Sequence, residues 1–179
     1  MSFEEIRVIT IVYLAVLLPL LIYFTNKSKL PSWIPSFYIV SLVVCALGWE
    51  LWFTYGWLDG DAVNIRRSEA LNTWLPKDIN WLMNSMADAG AVLCGGVWLM
   101  WITHKKDSIV FKKWKWSAFS IFFIWCVSQN ILVEMFLYHD QLADDKLKSW
   151  APLSPFGPYF NPILFEFNDR SIMLQSQIP

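Results

Sequence analysis

Four stretches of about 20 mostly apolar residues, 7–25, 36–57, 80–102 and 116–138, constrain this chain more than any other feature of its 179 residues. A helix rises about 1.5 Å per residue, so each is long enough to cross a hydrocarbon core of about 30 Å. Backbone amides in lipid must pair within the segment or within a closed barrel, and these stretches lack the alternation of barrel strands. Helices follow. The composition agrees: 56% of residues are hydrophobic and 16% charged, against about 45–50% and 25% in soluble domains. The expectation is all-α, a polytopic four-helix bundle in the membrane, with 1–179 as a single domain. Pro19 is read as a tolerated kink in a first helix that is retained, because no small-residue cleavage signature follows it.

Lys27 and Lys29 lie in the connection 26–35, and Lys105, Lys106, Lys112, Lys113 and Lys115 in the connection 103–115. The positive-inside rule places both connections in the cytoplasm, and both termini, the loop 58–79 and the tail 139–179 on the other side. Tryptophans near the span edges, Trp33, Trp57, Trp74, Trp81, Trp101, Trp114, Trp116 and Trp150, read as aromatic belts. The tail holds an acidic patch, Asp140, Asp144 and Asp145, then prolines at 152, 155, 158 and 162. Prolines at that density break helices, so the tail is expected to be a non-spanning interfacial segment over the outer helix ends; the residues 163–167 and those around Ile172 are alternatively a hairpin. Arg66 and Arg67 read as solvated loop residues, or as partners of Asp144 and Asp145.

The acids inside the spans carry most of the functional information. An ionised carboxylate near a span centre costs about 2.5 to 3.5 kcal/mol, so such residues face the bundle interior and mark a site. Glu50, Asp88 and Glu134 fall about 10, 12 and 6 Å below the outer surface by counting turns, which puts them in one layer. Trp81, Asn84, Ser85 and Asp88 share a face of the third helix, and Cys126, Asn130 and Glu134 a face of the fourth. Trp49, Trp52 and Phe53 surround Glu50 along the second. The expected site is a cavity with aromatic walls and inward-pointing carboxyls and amides, in which close carboxyls share a proton. The competing reading is interhelical hydrogen bonding alone, for example Glu50 with Asn84, aided by small residues at Ala87, Ala91 and Gly95 and at Gly90 and Cys94.

Other chemistry is excluded or weak. A net charge of −1 supplies no basic field for nucleic acid. Cys45, Cys94 and Cys126 form no CxxC pair, and neither His104 nor His139 has the spacing of a metal site or stands beside a plausible nucleophile. No metal and no cofactor are expected. The expected partners are membrane lipid or an apolar small molecule, with other membrane proteins or a second copy alongside.

The order of these features resembles the emopamil-binding and sigma-2-receptor-like membrane proteins (the EXPERA family), over roughly residues 38–140. Glu50-Leu-Trp-Phe53 is similar to that family's Glu-Gly-Trp-Phe. Asp88, with Gly96 and Trp101 after it, resembles the third-helix Glu with its Gly and Trp. Gln129 and Glu134 resemble the fourth-helix Gln and Asp, with one extra residue between them. The family's isomerase carries a His one turn before the second-helix Glu, where this chain has Ala46. Its fifth helix has no counterpart in 139–179. The resemblance implies a sterol-like or isoprenoid-like ligand and a double-bond isomerisation, with Glu50, Asp88 and Glu134 as catalytic carboxyls. Trp49, Trp52, Phe53, Trp81, Asn84, Ser85, Gln129 and Asn130 would then line the pocket. A non-catalytic accessory subunit of a larger complex, holding lipid, quinone or pigment, is the alternative.

Overall fold

The computed structural model describes residues 1–56, 61–146, 148 and 161–177. Trp57, Trp150 and the prolines at 152, 155 and 158 lie outside the described residues. The chain is mostly helical. α1 (Phe3–Asn26) starts on a capping box, in which the Ser2 hydroxyl accepts from the Glu5 amide and the Glu5 carboxylate accepts from the Ser2 amide. α2 (Ile34–Leu47) and α3 (Trp49–Tyr55) follow, then two short helices, α4 (Val63–Arg66) and α5 (Glu69–Trp74). α6 (Lys77–Ala87) continues through a π segment, Asp88–Cys94, into α7 (Gly95–Thr103). α8 (Trp116–Leu132) continues into a second π segment, Val133–Tyr138.

Three helices, Phe3–Asn26, Lys77–Thr103 and Trp116–Tyr138, are long and apolar enough to cross a membrane. The second expected span is not one straight helix. It bends by 42° between α2 and α3, and the two halves pass the same length and hydropathy test only together. The hinge is Gly48, where a Cβ would sit 2.8 Å from the Val44 carbonyl oxygen, closer than side chains tolerate. Glycine is what permits the bend. Exposed apolar side chains cover the outer faces, including Leu14, Leu18 and Leu21 on α1, Val40 and Val43 on α2, and Ile124 on α8.

Small residues set the helix spacing. Gly90 lies against the Pro19 ring, with 3.0 Å to its Cβ from an added methyl, and Gly96 lies against Phe122 at 2.8 Å. Larger residues at either place would push α1 or α8 away.

The tail contains a β-hairpin, so of the two readings of 163–167 the pairing is the one observed. β1 (Ile163–Phe167) runs antiparallel to β2 (Arg170–Met173), with Phe167 opposite Arg170 and Phe165 opposite Ile172. Asn168 and Asp169 both take positive φ, at 49° and 59°, which suits a tight two-residue turn. A 3-10 turn, Leu174–Gln177, follows and packs on α8. Ion pairs hold the hairpin down. Asp140, whose side chain is fully buried, is paired with Arg7 of α1 and, at 2.8 Å, with Arg170 of β2. Arg170 also donates to the Met135 carbonyl at 2.7 Å and lies over the Phe136 ring.

Candidate functional site

Glu50 is the first acid of α3 and is 1% exposed. Its position follows from the bend at Gly48, which turns the first turn of α3 toward α6. The Thr54 hydroxyl donates to its carboxyl at 3.3 Å from one turn further along. The Asn84 side chain reaches it from α6 as a second donor, and Asp88 lies within electrostatic range one turn beyond Asn84. Among the described residues neither Glu50 nor Asp88 makes an ion pair. Asp88 opens the π segment of the third span. Such segments widen the turn and occur often where a side chain must be re-aimed.

Aromatic residues cluster on the helix that carries Glu50. Trp49 and Trp52 meet edge to face at 5.1 Å, and Phe53 lies at 4.4 Å from Tyr138. These four, with Val63 and Met173, form one apolar cluster. The Trp52 indole N–H is buried with no hydrogen-bond partner among the described residues, and so is the Tyr38 hydroxyl. Tyr138 lies within electrostatic range of Glu50, Asp88, Arg66 and Glu134.

Two other expected lining residues have local duties. The Trp81 indole N–H donates to the Ala46 carbonyl at 2.8 Å, two residues before the bend. The Ser85 hydroxyl donates back to the Trp81 carbonyl at 2.7 Å. Trp125 repeats the pattern at the π segment, donating to the carbonyls of Val92 at 3.0 Å and Ala91 at 3.3 Å. The bend before Glu50 and the π segment that Asp88 opens therefore each have a tryptophan from a neighbouring helix bonded to nearby carbonyls.

Glu134 is placed apart from Glu50 and Asp88. Its carboxylate accepts from Lys148 at 2.7 Å, from the Met173 amide at 2.9 Å and from Gln177 at 2.9 Å. Glu134 is 1% exposed and Lys148 5%, so this is a buried, fully engaged ion pair between the fourth span and the tail. Burial lowers the Lys148 ammonium below its ordinary value, and Glu134 works against that shift. The geometry is that of a fastening. Asn130 and Cys126, expected on the same face, line a separate groove against the hairpin. The Gln129 side chain has no hydrogen-bond partner among the described residues.

Arg66 and Arg67 are buried rather than solvated, at 2% and 4% exposed. They do not pair with Asp144 or Asp145. Arg66 donates to the Phe53 carbonyl at 2.5 Å and the Asp61 carbonyl at 2.9 Å, and lies 4.8 Å over the Phe53 ring. Arg67 donates to Asn72 at 2.8 Å, to Asn80 at 2.9 Å and to the Leu75 carbonyl. Burial lowers both to about 10, so both stay charged near neutrality. Arg66 places a fixed positive charge within electrostatic range of Glu50. The tail meets this loop elsewhere: the Ala143 amide donates to the Arg66 carbonyl at 2.8 Å, and Lys146 pairs with Asp61 at 3.3 Å.

The site thus adds Thr54, Arg66 and Tyr138 to what the sequence suggested. Thr54 was detectable as the residue four after Glu50. Nothing in the local sequence marks Arg66, which reaches the site only through the fold of the outer loop. His139 accepts a hydrogen bond at Nε2 from the Ser171 amide at 3.2 Å and serves the hairpin. His104 bonds the Met100 carbonyl and Ser117 at the opposite end. Among the described residues no cluster of His, Cys, Asp and Glu is arranged to hold a metal. Comparison with protein-family models, curated proteins and solved structures finds no match to this chain.

Proposed function

We propose that the chain is an integral membrane protein of four spans, the bent α2–α3 pair counting as one, that receives an apolar ligand of sterol or isoprenoid type between Glu50 and Asp88. On this reading 26–35 and 103–115 face the cytoplasm and both termini the opposite side. One observation carries the proposal: Glu50 and Asp88 lie within electrostatic range of each other without a cation paired to either, and Glu50 shares its helix with Trp49, Trp52 and Phe53 of an aromatic cluster that Tyr138 joins. Intramembrane acids held together solely for packing are expected to be paired or neutralised by neighbours. Here the nearest fixed cation, Arg66, is occupied by backbone carbonyls.

The chemistry this supports is acid–base isomerisation of a double bond. One carboxyl of the pair adds a proton to an alkene carbon, the aromatic faces stabilise the resulting cation, and the other carboxylate removes a proton from the adjacent carbon. The double bond has then moved with no net gain or loss of atoms. On this assignment Glu50 is the acid and Asp88 the base, with the Thr54 and Asn84 donors orienting the Glu50 carboxyl and holding it once it has given up its proton. The resemblance to the EXPERA proteins supports the same assignment.

The second reading is a non-catalytic accessory subunit holding lipid, quinone or pigment beside larger partners. It is favoured by the Asn84 bond to Glu50, which is the contact that interhelical packing alone would make.

Native mass spectrometry with lipid extraction, on wild type beside Glu50→Gln and Asp88→Asn, tests the proposal. A stoichiometric apolar molecule present in wild type and lost in both variants is the expected result. Incubating that molecule with wild type in D2O should then give deuterium in the ligand, at least 100-fold less with either variant. Retention of the ligand without deuterium exchange selects the accessory reading. Persistent copurifying protein and no small molecule would overturn the ligand site.

A further inference from the structure

An apolar recess of about 440 Å³ lies between α8 and the hairpin. Phe123, Val127 and Ile131 form one wall at i, i+4, i+8 spacing, and Leu164, Phe165 and Ile172 form the other. Along α8 the wall is about 12 Å long, and it lies roughly 10 to 22 Å below the outer end at Tyr138. That depth is hydrocarbon rather than headgroup. Both faces of β1 are exposed, with Ile163, Leu164, Phe165 and Phe167 among the exposed large apolar residues. Phe123 and Ile131 of the recess wall are themselves among the exposed apolar residues of α8, so on the four-span reading the recess is continuous with the lipid phase.

Two amides interrupt the apolar lining, Asn130 and Gln177, and Gln177 is engaged with Glu134 at 2.9 Å. The Asn130 amide lines the recess and makes no hydrogen bond with any described residue. An amide at this depth without a protein partner is costly unless something else bonds it.

We infer that this recess is a retained-lipid site for one acyl chain of a membrane glycerolipid, with an ester carbonyl on the Asn130 amide and the chain running past Val127 to Phe123. The inference rests on the four-span reading and is independent of the chemistry at Glu50. Its consequence is that the hairpin, already fastened through Asp140 and Glu134, is sealed to α8 by lipid rather than by protein.

The test uses the full chain in nanodiscs of phosphatidylcholine, with a phosphatidylcholine carrying a diazirine on its acyl chain as the probe. Cross-links should saturate on peptides covering 123–131 and 163–172, and be competed by unlabelled lipid. Val127→Trp, which fills the recess, should reduce them at least threefold, whereas Leu14→Trp on the exposed face of α1 should not. Should Val127→Trp fail to fold, Asn130→Leu preserves bulk and removes the amide, and half-saturation should rise about fivefold. Labelling in Glu50→Gln should equal wild type; loss there would place the lipid at the acid pair and overturn the assignment. Labelling that never saturates and spreads evenly over α1 and α8 would mean bulk lipid only. Saturable labelling confined to peptides outside 123–131 and 163–172 would equally overturn it.

Discussion

Glu50 and Glu134 are equally buried, yet their surroundings give them different work. Glu134 accepts from an ammonium, a backbone amide and a side-chain amide, so its charge is answered on several sides. Removing one member of a buried pair leaves the other uncompensated, at about 3 to 5 kcal/mol. Lys148→Met is therefore expected to destabilise strongly, and adding Glu134→Gln should recover part of the loss; thermal unfolding of the four variants in detergent measures the coupling. A second residue-scale effect is set by His139. Burial is the first cause lowering its titration from the ordinary 6.5, with Lys148 and Arg170 adding and the Ser171 amide and Glu134 opposing. The folded state then binds the proton less well than the unfolded chain. Stability from this group is complete above about pH 6.5 and is lost as pH falls from there through the lower folded value. His139→Gln should flatten the pH dependence of the unfolding temperature between about pH 7 and 5; a slope identical to wild type would assign that dependence to other groups.

At the scale of elements, the irregularities position the acids. The bend at Gly48 aims the first turn of α3, the π segment starting at Asp88 widens the third span, and another π segment contains Glu134. Gly48→Ala places a methyl 2.8 Å from the Val44 carbonyl oxygen. The expected cost is about 1 to 3 kcal/mol, read from denaturant titration in detergent, together with weaker ligand retention at Glu50; a variant as stable as wild type would show that the bend does not need glycine. The sequence made the spans legible because apolar length is a local property, and it brought Glu50, Asn84 and Asp88 to a common depth because helical rise is regular. It missed what depends on departures from that regularity. A 3.6-residue count cannot reveal a π segment, and it assigns Trp81 to an aromatic belt when its indole bonds Ala46 at the bend. The grouping of Glu134 with the other acids failed to anticipate Lys148 for a related reason. Depth was counted along each helix, whereas the ammonium arrives from the tail, on a segment whose fold no periodicity encodes.

The whole molecule has its short helices α4 and α5 and the ion pairs of Asp140 at one end, and its lysine-rich connections at the other. The outer end is held by charges that the positive-inside rule does not weigh, because they are internally committed: Arg7 and Arg170 on Asp140, and Arg66 and Arg67 on carbonyls and amides. The lysines at 27, 29, 105, 106, 112, 113 and 115 have no ion pair among the described residues, which leaves them free to set orientation. That asymmetry predicts topology. A background variant with Cys45, Cys94 and Cys126 replaced by Ala, carrying single cysteines at Lys29, Lys106, Asn64 or Asp144, should separate into two groups in intact cells. Asn64→Cys and Asp144→Cys should react with a membrane-impermeant maleimide, and Lys29→Cys and Lys106→Cys only after permeabilisation. The reversed pattern would place the acid pair near the cytoplasmic surface, and its ligand would then enter from the inner leaflet. Reaction of all four without permeabilisation would contradict a membrane-spanning arrangement and, with it, both the acid pair as an intramembrane site and the lipid beside Asn130.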